Sequence, residues 1–315
     1  MIRSFIALLV AGAILIAPGL TSSPSLAGQS DEPIKLRTDL VTVDATVLDR
    51  DGNFIRNLKQ EDFVVYEDNE PQKLDFFEAS EEAALTRPLA VVFALDNSGS
   101  MKPEELTKQR EAALSFTQLV RPESVFAVLT FNNELRVLQD FTSDSKKIGQ
   151  AFQKVAGSNG STRLFASIDR AIAMLKRAPR YRSNRRLRRI VVVITDGIDS
   201  VDTVDQRDLI QRANEQGVTV YSITIPSYGY GSTQRIMTLL DVSRIVPLTG
   251  GADFSVDTSN FTPVFKAIAE EIRSSYTLAY YPKERVKRDN RARQLRVEVK
   301  REGALVRASR SAYQD

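Results

Sequence analysis

Three oxygen-bearing side chains, Asp96, Ser98 and Ser100, follow the apolar run LAVVFAL (89–95), each separated from the next by one residue. Carboxylate and hydroxyl oxygens are hard donors, the ligands of magnesium, calcium or manganese. Two further residues of this kind lie far along the chain. Thr162 sits in GSNGSTRLF, and Asp196 in ITDGIDS, directly after the apolar run RIVVVIT (189–195). If the three loops meet, two carboxylates and three hydroxyls describe a magnesium site, with manganese or calcium as alternatives. The two carboxylates only just balance a divalent ion, and hydroxyl ligands leave it electrophilic, so an Asp or Glu carboxylate from a partner protein would complete it. Alone, D-x-S-x-S is weaker, because acids and serines after strands also cap helices, here one beginning at Pro103.

Composition narrows the chemistry further. The 315 residues contain no cysteine and no histidine. Disulfides, thiolates, imidazole bases and Cys/His metal sites are therefore excluded. The net charge is +3, from 43 basic and 40 acidic residues, which makes no case for nucleic acid. A magnesium-dependent phosphohydrolase would use a strand-end Asp as nucleophile. Such sites place a second acid two residues on, where this chain has Ser98, and neither familiar Gly-rich phosphate loop is present. A non-enzymatic binding module is the preferred reading; a scaffold whose metal is purely structural is the third.

The elements that must position these residues fall into distinct stretches. Residues 1–27 read as a cleaved export signal, with Arg3, an apolar core and Ser25-Leu26-Ala27 as cleavage site. That places the mature chain in the periplasm or outside the cell, with no stable membrane span. A polar linker covers 28–39. Residues 40–82 have hairpin grammar, short β-branched and aromatic runs bounded by turn formers. Between 88 and 275, buried strands alternate with helices expected at 103–120, around 205–216, near 234–246 and at 260–274. Val- and Ile-rich runs without polar alternation mark strands covered on both faces, so this is a doubly wound, mostly parallel α/β sheet. ELRVLQDF (134–141) is more polar and suits an edge. Residues 276–313 return to β, with strands at 276–282, 294–300 and 304–310. The two β segments are each too small alone and are expected to form one β-sandwich into which the α/β domain is inserted.

With Asp96-Asn97-Ser98-Gly99-Ser100, Thr162 and Asp196 in this order, the stretch 88–275 resembles the von Willebrand factor type A domain. LTGGADF and the helix ending EEIRSSY add to the likeness. The flanking β segments, with YYP and a basic hairpin, more loosely resemble an exported subgroup known mainly from acidobacteria. The resemblance implies a metal-ion-dependent adhesion site. Ser98, Ser100 and Thr162 would contact the metal or exchange with water, while Asp96 and Asp196 hold waters and hydroxyls. Asn97, Arg163, Tyr228 and Tyr230 are the candidate partner contacts. Asp199, Asp202 and Asp205 read as acids favoured at a helix N-terminus. The run KRAPRYRSNRRLRR (176–189) reads as a solvated loop before a buried strand, or else as a patch that binds an anionic surface or steers an acidic partner.

Overall fold

The computed structural model describes residues 40–79, 87–98, 103–157, 161–182, 185–195, 204–225, 242–256, 260–282 and 291–314. The expected signal and linker lie outside them. In chain order the first strands are β1 (Val41–Leu48), β2 (Phe63–Glu67), β3 (Glu70–Gln72) and β4 (Phe76–Glu78). Next come β5 (Leu89–Asp96), α1 (Pro103–Leu119), β6 (Val125–Phe131), β7 (Leu135–Thr142), α2 (Ser145–Gln153) and α3 (Leu164–Arg177). The two-residue strands β8 (Tyr181–Arg182) and β9 (Arg185–Arg186) precede β10 (Arg188–Thr195), α4 (Gln206–Gln216) and β11 (Val218–Thr224). Then follow α5 (Val242–Leu248), β12 (Asp253–Ser255), α6 (Thr262–Arg273), β13 (Ser275–Tyr280), β14 (Ala292–Val299), β15 (Leu305–Ala308) and β16 (Ala312–Gln314).

The central sheet has the order β12-β11-β10-β5-β6-β7. Its strands are parallel except β7, which runs antiparallel along the edge of β6. Alternate residues of β5 explain why its sequence lacks polar alternation. Leu89, Val91, Phe93 and Leu95 pack in one apolar layer with α1, α2 and α6. Ala90, Val92 and Ala94 pack in the other with α3, α4 and α5. Successive strand side chains point to opposite faces, so a strand covered on both sides must be apolar throughout. Phe93 centres the first layer, its ring 5.6 to 6.1 Å from those of Phe116, Phe126, Phe152 and Phe265. Asp205 caps α4 by accepting from the Arg207 and Asp208 N–H groups; Asp199 and Asp202 lie outside the described residues.

The remaining long strands form two four-stranded antiparallel sheets, β15-β1-β13-β4 and β16-β14-β2-β3. Each takes strands from both sides of the α/β portion. Val43, Tyr276 and Leu278 of the first share an apolar cluster with Val65, Leu295 and Val297 of the second.

Three local expectations change. The strand expected at 304–310 is shorter: β15 ends at Ala308, a separate strand of another sheet, β16, follows at Ala312, and the turn between them is fixed by Ser309 and Ser311. The Ser309 N–H donates to the Asp44 carbonyl (2.7 Å), and the Ser311 N–H to Asn214 Oδ1 on α4 (2.6 Å). Of the helix expected at 234–246, the described part is α5, which runs on to Leu248 because Val242, Ile245 and Val246 extend the apolar face of its layer. Gly250 follows with φ +73°, and a Cβ there would meet the Ala308 carbonyl oxygen at 2.2 Å. That turn thus needs glycine to let the chain pass against β15. Finally, the basic run is not wholly solvated: Leu187 and Arg188 are buried at the entry to β10.

Arg188 can be buried because Asp44 of β1 meets it. The Asp44 carboxylate takes an ion pair from Arg87 Nη1 (2.5 Å), lies 3.7 Å from Arg188 Nε, and accepts from Thr277 Oγ1 (2.9 Å). Burial alone would raise its pKa. The charges of Arg87 and Arg188 and the Thr277 hydrogen bond outweigh burial and hold it at about 2, against an ordinary 3.8. Since the folded value lies below the unfolded one, the contribution is present in full above about pH 4 and is lost as pH falls through 3.8 towards 2. Its size is on the order of 2 kcal/mol. Asp44→Asn leaves two buried guanidinium groups without their counter-charge, a loss of about 3–5 kcal/mol at neutral pH. Urea unfolding of wild type and variant from pH 7 to pH 2 should show that gap narrowing through this window. A gap independent of pH would mean that the charge of Asp44 is not what stabilises the junction.

Candidate metal centre

Asp96 is the last residue of β5 and fully buried. Two neutral donors fix its orientation. The Ser98 N–H donates to Oδ1 (2.9 Å), closing a short Asx turn, and the Thr195 hydroxyl donates to Oδ2 (2.7 Å). Thr195 ends β10, the strand beside β5, one residue beyond the Ile194–Leu95 pair. The carboxylate is therefore gripped from its own loop and from the neighbouring strand. Helix α1 begins only at Pro103, so Asp96 is not its N-cap.

The loop after Asp96 is pinned on its other side as well. The Asn97 N–H donates to the Phe131 carbonyl at the end of β6 (3.1 Å). Its side-chain amide donates to the Ala156 carbonyl, after α2 (3.0 Å). The loop leading to α3 is anchored to the same strand end. The Ser161 N–H donates to Oδ1 of Asn133 (2.8 Å), just past β6, and the Ser161 hydroxyl reaches the same oxygen. Thr162 follows, 4% exposed, immediately before α3. Ser98 is buried to a similar degree, at 3%. The carboxyl ends of parallel strands are where open α/β sheets bind ligands.

Of the five residues expected to ligate metal, Asp96, Ser98 and Thr162 thus lie on loops tied to one end of the sheet. Ser100 and Asp196 lie outside the described residues, as do Tyr228 and Tyr230. Asn97 is engaged with Ala156, and Arg163 stands partly exposed beside Thr162. Thr195 is the residue that the sequence reading passed over. Its signal was available: it is the last residue of an apolar strand, and strand ends that flank Asp96 in the sheet must carry its hydrogen-bond donors.

The donor chemistry fits a hard cation. Among the described residues, no group of three or more acids, histidines or cysteines could hold a metal. A cation at this strand end would have to be held by hydroxyls together with carboxylates, and the buried Asp96, Ser98 and Thr162 offer both.

Residues 91–198 match the family model of the von Willebrand factor type A domain. Human integrin alpha-X is 27% identical over 139 residues, 43% of this chain and 12% of the integrin. Mouse integrin alpha-M is 26% identical over 140 residues, again 43% of this chain and 12% of its own length. The chain thus spans about an eighth of these relatives. Among solved structures, von Willebrand factor type A from Catenulispora acidiphila is 12% identical, with a TM-score of 0.49 over 86% of this chain and 72% of its own. The conserved hypothetical protein BatB from Bacteroides thetaiotaomicron is 20% identical, with a TM-score of 0.45 over 58% of this chain and 97% of its own. With that match laid over the parallel sheet that ends in Asp96, the chain carries a von Willebrand factor type A domain.

Proposed function

We propose that this chain is a non-enzymatic protein-binding module of the adhesion type, which takes an acidic side chain of its partner through a divalent cation. The observation that carries the reading is Asp96: a fully buried carboxylate with each oxygen oriented by a neutral donor, beside a buried Ser98. Asp96, Ser98, Ser100, Thr162 and Asp196 would hold the cation, magnesium first, with manganese or calcium able to substitute. When bound, the cation supplies a Lewis-acidic face to an incoming carboxylate oxygen. The protein's part is to aim and to insulate. Thr195 and the Ser98 N–H fix the Asp96 plane without neutralising it, and burial removes the water that would otherwise compete. Asn97 and Arg163 flank the loops as contact residues for the partner, with Tyr228 and Tyr230 as further candidates. The relatives that match include integrin alpha chains, which supports adhesion as the class of function.

The basic start, apolar core and Ser25-Leu26-Ala27 support export, to the periplasm or beyond. Among the described residues, no helix is long and apolar enough to cross a membrane.

Two experiments test the reading. Manganese titration of the purified chain should show one site with a dissociation constant on the order of 0.1–1 mM. Asp96→Ala should abolish it while circular dichroism keeps the wild-type spectrum. No saturable affinity for manganese or magnesium would sink the proposal, and phosphatase turnover lost in the same variant would favour the phosphohydrolase. A metal that raises the melting temperature without supporting capture of acidic protein ligands would favour the scaffold. In the second experiment, Thr195→Val keeps the shape of the side chain but removes the donor to Asp96. Metal affinity should fall roughly 10–100-fold. Unchanged affinity would mean that Thr195 serves the sheet alone.

A further inference from the structure

A cleft of about 910 Å³ lies at the opposite end of the sheet, between β1 and β13 on one side and the segment 180–189 with the end of α4 on the other. Arg188, in its wall, pairs with Leu89 at the start of β5, and Asp96 is the last residue of that strand. At about 3.3 Å per residue the two sites are roughly 23 Å apart. The volume falls in the range of small-molecule sites.

Its charge is lopsided: seven arginines line it against three carboxylates. One of those carboxylates, Asp44, is already committed to Arg87 and Arg188. Arg186 and Arg189 find neutral acceptors, the Thr42 hydroxyl (2.6 Å) and the Gln216 carbonyl (3.2 Å). Arg310 is different. It is 7% exposed, and its buried Nε has no hydrogen-bond partner. The guanidinium lies over the backbone of Gly217, where a Cβ would come within 2.1 Å of Nη2. Burial first, then the charge of Arg186, with Arg189 adding to it, outweigh the opposing charge of Asp44 and push Arg310 below the ordinary arginine value. Burial, then Arg180 and Arg186, do the same to Arg189. Guanidinium groups stay protonated at neutral pH, so the consequence is a desolvated, mutually repelling cluster. A buried charge without a counter-charge is destabilising, and an anion from outside would relieve it.

We propose that this cleft binds a small phosphorylated or sulfated molecule, with Arg310, Arg186 and Arg189 on its oxyanion. Arginine forks suit such groups, and a tetrahedral oxyanion can accept from several directions at once, whereas a carboxylate offers a single plane. Tyr181 and Phe76, 63% and 47% exposed, line the same cleft and give the rest of the ligand aromatic surface. The site is separate from the metal centre and needs no cation.

The test is calorimetric titration of the purified chain with inorganic pyrophosphate and, separately, inorganic sulfate, in buffer containing EDTA so that the metal centre is silent. One saturable site is expected, with a higher melting temperature in the anion's presence. Preference for pyrophosphate assigns the site to phosphate groups, preference for sulfate to sulfate esters. Arg310→Met should weaken binding at least about tenfold, the value of one charge-assisted hydrogen bond. The same variant, free of anion, should melt higher than wild type, because an apolar chain replaces an uncompensated buried cation. Arg186→Gln, at a half-exposed position, repeats the binding test should the first variant not fold. Affinity unchanged in the variant that folds, or no saturation by either anion up to roughly 10 mM, overturns the proposal.

Discussion

The structure depends on one buried carboxylate. Asp44 stands on β1, yet its partners come from three other places: Arg87 before β5, Arg188 at the entry to β10, and Thr277 on β13. Its own backbone is bound on both sides by Ser309, from the last strands of the chain. A single charge therefore locks the antiparallel sheets to the start of the parallel one. Apolar contacts could hold these surfaces together but would not fix their register, since hydrophobic attraction is not directional. Glu271 of α6 repeats the device, buried and paired with Arg307 of β15 at 3.0 Å. Arg188 is buried against Asp44, whereas Arg307 reaches the buried Glu271 from a partly exposed position.

The two ends of the parallel sheet use buried charge in opposite senses. At the amino end, Asp44 is matched by two guanidinium groups, and its negative charge is consumed within the fold. At the carboxyl end, Asp96 is more deeply buried and is oriented by a backbone N–H and a hydroxyl, which direct a carboxylate without discharging it. The difference follows from residue type. An arginine in place of Thr195 would bring a counter-charge to Asp96. A hydroxyl holds the plane of the carboxylate without bringing one.

This contrast also explains which parts of the molecule were legible in the sequence. The parallel sheet could be read because burial on both faces imposes continuous runs such as LAVVFAL and RIVVVIT, and the polar ELRVLQDF revealed its edge. Asp96 and Ser98 stood out because an acid and a hydroxyl follow such a run at one-residue spacing, and Thr162 through its place in the polar loop before α3. Thr195 was only faintly marked: its place at the end of an apolar strand was visible, but its donor role exists only once β10 lies beside β5. The basic run misled for a related reason. Charge density suggests solvent, but Arg188 is buried by an acid 144 positions earlier in the chain, a partner that no local pattern reveals. The early end of β15 at Ala308 was equally invisible, because the turn towards β16 is set by Ser309 and Ser311 reaching to Asp44 and Asn214.

The position of Asp96 and Thr195 at the ends of β5 and β10, rather than on loops, has a physical consequence. Both strands are buried, except for a partly exposed Arg189, and paired residue by residue from Arg188–Leu89 to Ile194–Leu95. Motion of one relative to the other would break that ladder, so the distance from Thr195 to Asp96 is as rigid as the sheet. Asn97, Ser98 and the residues before α3 lie on loops instead, with hydrogen bonds to Phe131, Ala156 and Asn133. The arrangement separates the tasks. The Asp96 carboxylate is fixed by the strands, while the Ser98 and Thr162 hydroxyls lie on the loops beyond them.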